Sequence, residues 1–239
     1  SEGIQAWNQQ VPYYVTSNML IAHHYAETLA SFIQDIAATR TIDPANPVYI
    51  FELGSGTGKF SFYMMTQLAA ILDSLQLRHC AKYIITDISE QNLNYWKSHS
   101  QFKPYFESGF LDIGLIDIEN PPDVIQLHYS GSLLNASSFE QPICLIGNYV
   151  LDGVKNDCFR IENNQINELK IKTTATAPFD NGHLPPMSDC SFEFEAFATT
   201  NDYYQNPIFD SILNDYIGNI SNSSLLFPSS ALKFLEHFL

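Results

Sequence analysis

The chain has 239 residues, enough for one large domain or for one domain with an insertion. It carries 11 lysine and arginine residues against 26 aspartates and glutamates, a formal net charge of -15, which disfavours DNA or RNA as a partner. Its 4 cysteines include no Cys-x-x-Cys pair, and neither a signal peptide nor an apolar run of membrane length is present. We therefore expect an acidic cytoplasmic protein without a metal centre, a disulfide framework or a membrane segment.

The amino-terminal segment predicts one amphipathic helix that packs on the rest of the fold. Thr16 or Ser17 can cap this helix, and apolar residues at helical spacing continue to about Ala38. His23 and His24 lie on it side by side. Adjacent helical side chains point to different faces, which argues against a shared metal.

The stretch after residue 47 is the most informative part of the chain. Val48–Phe51 is an apolar run typical of a buried strand, and the acid Glu52 follows it. Three glycines at alternate positions, Gly54, Gly56 and Gly58, then lead into an apolar helical pattern. Glycine allows a positive φ and a close approach of the backbone to a ligand. The pattern predicts a strand, a tight turn and a helix N-terminus that hold a nucleotide-like molecule.

The spacing of the glycines narrows the choice of ligand. A dinucleotide fingerprint requires another glycine where Lys59 stands, which argues against an NAD-binding oxidoreductase. A phosphate-binding P-loop requires four residues between its glycines, whereas three separate Gly54 from Gly58, and Phe60 replaces the hydroxyl that would bind magnesium. A glycine-rich turn without a ligand is the remaining structural alternative.

Further strands alternate with helices, which predicts a doubly wound, Rossmann-like, mostly parallel sheet. We expect strands over Lys82–Asp87, within Glu107–Ile118 and over Pro142–Asn148. Parallel strands end at one edge of the sheet, where ligands bind. The polar residues that we expect at this edge are Glu52, Asp87, Asp112 and Asn148.

The chain changes character after the fourth strand. Asn163-Asn164 interrupts two alternating stretches and predicts a β-hairpin, because asparagine tolerates the left-handed conformation. A loop over residues 173–190, a strand over Phe192–Phe197 and helices over Asn206–Ile217 and Leu232–Leu239 complete the insertion. Because only four core strands are evident, we expect a truncated sheet with an open edge beside Pro142–Asn148, unless the hairpin over Cys158–Ile171 or a second copy covers it. The predicted divisions are residues 1–40, 41–157 and 158–239.

The chain contains the pattern Glu52-x-Gly-x-Gly-x-Gly, and Asp87 follows 35 residues after Glu52. This arrangement resembles the first two motifs of the class I S-adenosylmethionine-dependent methyltransferases. The resemblance covers roughly residues 45–150. It implies S-adenosylmethionine as cofactor, with Asp87 accepting hydrogen bonds from the ribose hydroxyls and Asp112 binding the adenine amino group. Backbone N–H groups of Ser55–Lys59 would face the methionine carboxylate. The implied cofactor contacts are Glu52, Gly54, Ser55, Gly56, Thr57, Gly58, Asp87, Ile88, Leu111, Asp112 and Asn148.

Asn148–Gly153 resembles the Asn-Glu-x-x-Asp-Ala segment of the MidA-like family, with Tyr149 in place of the glutamate. Mitochondrial members of that family methylate an arginine of a respiratory-complex subunit and assist its assembly. The resemblance implies methyl transfer by in-line displacement, with Asp152 orienting the acceptor, Asn148 as its hydrogen-bonding partner and Tyr149 walling the methyl site. His183 is a weaker candidate base.

The methyl acceptor and the oligomeric state stay open at this point, and a protein side chain such as arginine and a dimer are the candidates. A catalytically silent binding or assembly protein that keeps the fold is the alternative function.

Overall fold

The computed structural model describes residues 15–175 and 186–238. The chain divides into two compact units, Ser1–Gly153 with His237–Leu239, and Val154–Glu236. Among the described residues, no helix combines the length and the apolar character needed to cross a bilayer.

The first unit alternates helices and strands. Its elements are α1 (Met19–Thr39), β1 (Val48–Leu53), α2 (Lys59–Ser74), β2 (Ala81–Asp87), α3 (Glu90–Ser98), α4 (Lys103–Glu107), β3 (Leu111–Leu115), β4 (Ile125–Gln126), β5 (Leu133–Leu134) and β6 (Cys144–Gly147).

The main sheet of the first unit is parallel and has the order β3-β2-β1-β6. The sheet grows from β1 through β2 to β3 in one direction, whereas β6 lies on the other side of β1. The winding direction therefore changes between β1 and β6. This confirms the predicted doubly wound sheet. The central strand β1 is buried along its whole length, as the apolar run Val48–Phe51 requires. The change of winding direction marks the place where such folds bind ligands.

Helix α1 packs against α2 on one face of the sheet. Its cap is Asn18, whose Oδ1 accepts the N–H of Ile21 at 3.0 Å, so the predicted start at Thr16 or Ser17 is wrong by one or two residues. Asparagine is among the best caps because its short side chain reaches the free amide. Ala22, Ala26 and Ala30 recur every four residues and are buried in the core that α2 shares.

The second unit contains β7 (Asp157–Glu162), β8 (Gln165–Ala175), β9 (Cys190–Ala198), α5 (Pro207–Asn219) and β10 (Ser223–Phe227), and α6 (Ser229–Phe238) begins in it. Its antiparallel sheet has the order β10-β7-β8-β9.

The hairpin between β7 and β8 turns at Asn163 and Asn164, whose φ values are 52° and 59°. This confirms the predicted turn. The hairpin pairs within the sheet of the second unit, and among the described residues β6 is the last strand of the parallel sheet. Ala175 pairs with Cys190, so regular strand replaces both ends of the predicted loop over residues 173–190. Strand β10 was not predicted, since Ser223–Phe227 lies between two turn-forming segments and is short.

Candidate ligand site

The glycine loop joins β1 to α2 in a left-handed conformation at each of its glycines. Gly54, Gly56 and Gly58 have φ values of 61°, 54° and 72°. Residues with a Cβ rarely adopt such angles, which explains the alternate glycines of the sequence. The loop is tied to β2 by the N–H of Ser55, which donates to the Thr86 carbonyl oxygen at 2.8 Å.

Asp87 ends β2 and holds the loop through its side chain. Its Oδ2 accepts the N–H of Gly56 at 3.0 Å, and its Oδ1 accepts the N–H of Ser89 at 2.9 Å. Its exposure is 9%. A carboxylate offers about four lone-pair positions, so these two bonds leave acceptor capacity at each oxygen. The aspartate therefore anchors the loop and can still accept hydrogen bonds from a ligand.

Glu52 lies beneath the loop and is buried, with an exposure of 4%. The Tyr83 hydroxyl donates to its Oε2 at 2.7 Å. Burial raises the pKa of Glu52 to about 7, because a carboxylate loses its hydration there, and the hydrogen bond from Tyr83 opposes this rise. The Glu52 carboxyl is thus poised to change its charge near neutral pH.

A small pocket opens beside these residues at the change of winding direction. Its lining comprises Thr16, Ser17, Glu52, Leu53, Gly54, Ser55, Gly56, Thr57, Phe60, Asn148 and Tyr149. Helix α2 begins at this pocket with no side-chain cap and no acidic residue in its first turn. The Lys59 N–H donates to Thr57 Oγ1 at 3.3 Å, so the pocket offers an anionic group the positive end of the helix dipole rather than this first amide.

The segment after β6 forms one side of the pocket. Asn148 Oδ1 accepts the Tyr25 hydroxyl at 3.3 Å, and Tyr149 has a φ of 55° and a 44% exposed side chain. Such a φ is uncommon for a large side chain and places Tyr149 in a constrained conformation. Val150 lies against the glycine loop, because a Cβ on Gly54 would be 2.8 Å from its Cγ2. Asp152 is exposed and does not line the pocket.

Asp112 and Leu111 do not reach the ligand edge. They begin β3 instead of ending it, and Asp112 pairs with Ile84, three residues before Asp87. The predicted placement of Asp112 at the carboxyl end of its strand is therefore wrong. Its buried Oδ1 accepts the N–H groups of Ile113, Tyr129 and Ser130 at 2.9, 3.0 and 3.4 Å. Lys82 Nζ lies 3.2 Å from its Oδ2, so Asp112 is part of an internal ion pair.

Asp117 is the acid that follows β3, and the sequence analysis missed it. The N–H of Ile116 donates to the Asp87 carbonyl oxygen at 3.1 Å, which brings the chain beside β2 just before Asp117. Asp117 is half-buried and accepts the Glu119 N–H at 2.9 Å. Gly114–Ile116 is an uninterrupted run without charged residues, and it indicates that the strand continues past Asp112 towards Asp117.

Three other residues were singled out from the sequence, namely Ile88, His23 and His183. Ile88 follows Asp87 and is 66% exposed, so an apolar surface stands next to the anchoring carboxylate. His23 lies on the surface of α1, where its Nε2 is 3.3 Å from Glu27 Oε1. His183 falls outside the described residues. Among the residues described, no group of three or more histidines, cysteines and acids could hold a metal ion.

The order of the sheet, the glycine loop and the aspartate that anchors it define a Rossmann-like α/β protein with a candidate ligand site at its switch point. No family model matches the chain, and no curated protein matches it.

Two solved structures from Burkholderia thailandensis share the fold, and both belong to one superfamily. One is inferred to be a methyl transferase and is bound to S-adenosyl-homocysteine; it has a TM-score of 0.51 and 15% identity over 92% of this chain and 43% of its own. The other is an uncharacterized protein with a TM-score of 0.50 and 16% identity, over 93% of this chain and 46% of its own. This chain therefore spans less than half the length of either structure, and the likeness establishes the Rossmann-like fold.

Proposed function

We propose that the chain binds S-adenosylmethionine and transfers its methyl group to an acceptor. The observation that carries this proposal is the glycine loop at the switch point, with Asp87 bonded to the Gly56 N–H and an uncapped α2 N-terminus beside it. The S-adenosyl-homocysteine bound to one structure of the same fold supports the choice of ligand.

The residues present fit such a cofactor. The uncapped first turn of α2 suits the methionine carboxylate, and the ionised form of Glu52 suits the neighbouring ammonium group. Asp87 retains acceptor capacity for ribose hydroxyls, and the exposed Ile88 offers an apolar surface to the nucleobase. We assign the contact with the adenine amino group to Asp117, in the role that the resemblance gave to Asp112.

Methyl transfer needs alignment more than covalent chemistry. The cofactor, when bound, supplies an electrophilic methyl group on a sulfonium. An acceptor that took this methyl group would release a proton, so the site must align the acceptor and provide a base. Tyr149 excludes water from the pocket mouth and Asn148 orients the acceptor. Asp152 takes the proton, which requires its segment to approach the pocket.

A protein side chain, such as arginine, is the acceptor that we propose. The exposed Asp152 carboxylate can orient a cationic group at the end of β6, and the net charge of -15 favours basic proteins as partners. A guanidinium also needs a carboxylate to accept its proton as the new bond forms.

The position of Val150 favours a second candidate, a silent binding or assembly protein. A Cβ on Gly54 would lie 2.8 Å from its Cγ2, so Val150 packs closely on the glycine loop. If this packing is permanent, the glycines and Asp87 serve the fold alone.

Calorimetry with S-adenosyl-homocysteine tests the site. Asp87→Asn should weaken binding by about tenfold or more, since a neutral amide replaces a charge-assisted acceptor. Asp73→Asn is the matched control, because Asp73 is an exposed acid that pairs with Arg78. Equal affinities for the two variants would refute the assigned contact, and no binding by the unmodified chain would refute the cofactor.

Transfer of labelled methyl from S-adenosylmethionine to cell proteins then separates an enzyme from a silent binder. The unmodified chain should label an acceptor, and Asp87→Asn provides the background. Binding without any labelling would favour the silent protein.

A further inference from the structure

Strand β8 pairs with β7 up to Glu168 and continues with β9 as a two-stranded ribbon that is exposed on both faces. Residues 191–198 of β9 are all exposed, and so are residues 170–174 of β8. Their pairing is regular over nine residue pairs, from Asn167 with Ala198 to Ala175 with Cys190. A long regular ribbon with so little burial has surface that the described residues leave uncovered.

One face of the ribbon is apolar. Ile171 pairs with Phe194 and Leu169 pairs with Ala196, while Phe192 stands two residues from Phe194 on the same side. Ile171, Phe192 and Phe194 are 55%, 44% and 63% exposed. Large side chains with this exposure in a row are typical of a binding surface.

The opposite face of β9 carries acids. Glu193 and Glu195 alternate with the phenylalanines, and they stand opposite Lys172 and Lys170. Lys172 Nζ is 3.8 Å from Glu193, and both side chains are well exposed. Lys170 Nζ lies instead 3.4 Å from Glu168. The two glutamates therefore add negative charge that the ribbon only weakly compensates.

The outer edge of β9 is open for pairing. In the part of the chain that the structure describes, β9 is the last strand of its sheet and pairs on one side with β8. Such an edge presents unpaired backbone N–H and C=O groups to any extended segment that approaches it.

A second copy of this chain fits that edge badly. An antiparallel pair of β9 strands centred on Phe194 would place Glu193 of each copy opposite Glu195 of the other. Like charges directly opposite destabilise a ladder, and each copy also carries a net charge of -15. A partner strand must instead carry positive charge on this face and apolar residues on the other.

We infer that the edge of β9 binds an extended segment of another protein in which apolar and basic residues alternate. The segment adds one strand to the sheet, places its apolar residues beside Phe192 and Phe194, and places its basic residues beside Glu193 and Glu195. Backbone hydrogen bonds supply affinity and the alternation supplies specificity. The residues of this surface belong to the second unit, and none of them lines the glycine-loop pocket.

Fluorescence anisotropy with labelled synthetic peptides tests this interface on the full chain. A peptide of alternating lysine and valine should bind about tenfold more tightly than a peptide of the same composition with its lysines in one block. Methylation of every second backbone nitrogen blocks one hydrogen-bonding edge of the peptide strand, and two such peptides block the two edges separately. The alternating peptide should lose its advantage when the edge that pairs with β9 is blocked, since edge pairing needs free amides. Equal binding of the alternating and block peptides would overturn the inference, because net charge alone would then explain it.

Charge reversal gives the second test. Glu193→Lys with Glu195→Lys should shift the preference to a peptide of alternating glutamate and valine. Glu140→Lys with Asp215→Lys makes the same change in net charge at other exposed acids and should keep the original preference. An unchanged preference in the β9 variant would overturn the inference, as would sedimentation showing a dimer that these β9 substitutions dissolve.

Discussion

Replacing Glu52 with glutamine should stabilise the first unit at alkaline pH. Burial raises the pKa of Glu52 from 4.5 to about 7 in the folded chain. A folded pKa above the unfolded one means that the folded state binds more protons between these values. The protonated Glu52 carboxyl therefore contributes stability that is fully present below the unfolded pKa. This contribution is lost as the pH rises through about 7, the folded pKa.

The size of the effect follows from the two pKa values. Their difference corresponds to about 3 kcal/mol, of which about 2 kcal/mol is lost between about pH 5.5 and about pH 8.5. Glutamine has nearly the same shape and does not ionise, so it escapes this loss. The advantage of Glu52→Gln over the unmodified chain should grow by about 2 kcal/mol across that interval.

Urea unfolding followed by Trp96 fluorescence measures this advantage. The chain has 2 tryptophans, so a Trp7→Phe background makes the fully buried Trp96 the sole reporter, and it lies in the first unit. Glu140→Gln is the control, because Glu140 is exposed and its replacement should have the same effect at every pH. The reasoning fails if the advantage of Glu52→Gln does not change with pH, or if the control shows an equal change.

Three further tests, each with its own control or second variant, address the packing around the site and the turn in the second unit. Gly54→Ala should destabilise the chain by about 1–2 kcal/mol in urea unfolding, because the φ of Gly54 is 61° and a Cβ would approach a neighbouring side chain to 2.8 Å. Gly153→Ala is the control and should be nearly neutral, since its Cβ would be 3.6 Å from the nearest atom and its φ is not left-handed. Equal losses of stability in the two variants would contradict this reasoning. Lys82→Met should cost about 3 kcal/mol because it removes the ion-pair partner of the buried Asp112. A second change, Asp112→Asn, keeps the Oδ1 acceptor of the three amides and removes the charge, so it should restore much of that stability; a loss that the second change does not reduce would contradict the ion pair. Asn164→Gly should raise the thermal midpoint and Asn164→Ala should lower it, because φ is 59° at this turn residue, and the opposite order in calorimetry would contradict the turn assignment.

The core of the fold could be predicted because strong local signals agreed with one another. Val48–Phe51 is apolar without interruption, as a strand covered on both faces must be, and the three glycines after it fixed the position of the turn. Asn163-Asn164 likewise marked its hairpin, since two adjacent residues with positive φ are what this turn needs. At these places the residue types required by the backbone are few, so the sequence alone was informative.

Strand ends were harder to predict, and Asp112 shows the reason. An acid inside an apolar run was interpreted as the end of a strand, whereas here it enters β3 and is neutralised by Lys82 from the neighbouring strand. That partner lies 30 residues earlier, so no local pattern could reveal it. The length of β9 was hidden for a similar reason, because its pairing with β8 depends on contacts across a long connection.

Asp87 shows why a motif acid can serve the fold and the ligand together. Its two carboxylate oxygens hold the Gly56 and Ser89 amides, so a chain that had lost its ligand would still need an acceptor at this position. Retention of the motif is therefore expected of both an enzyme and a silent descendant. Alanine removes the anchor and the ligand contact at once, whereas asparagine keeps one amide acceptor and removes the charge. The bonds from the Gly56 and Ser89 amides to this carboxylate are charge-assisted as well, so asparagine weakens the anchor and the ligand contact together. Urea unfolding of Asp87→Asn beside its ligand affinity separates the two losses, because a contact with the ligand requires the affinity to fall further than the stability of the loop explains.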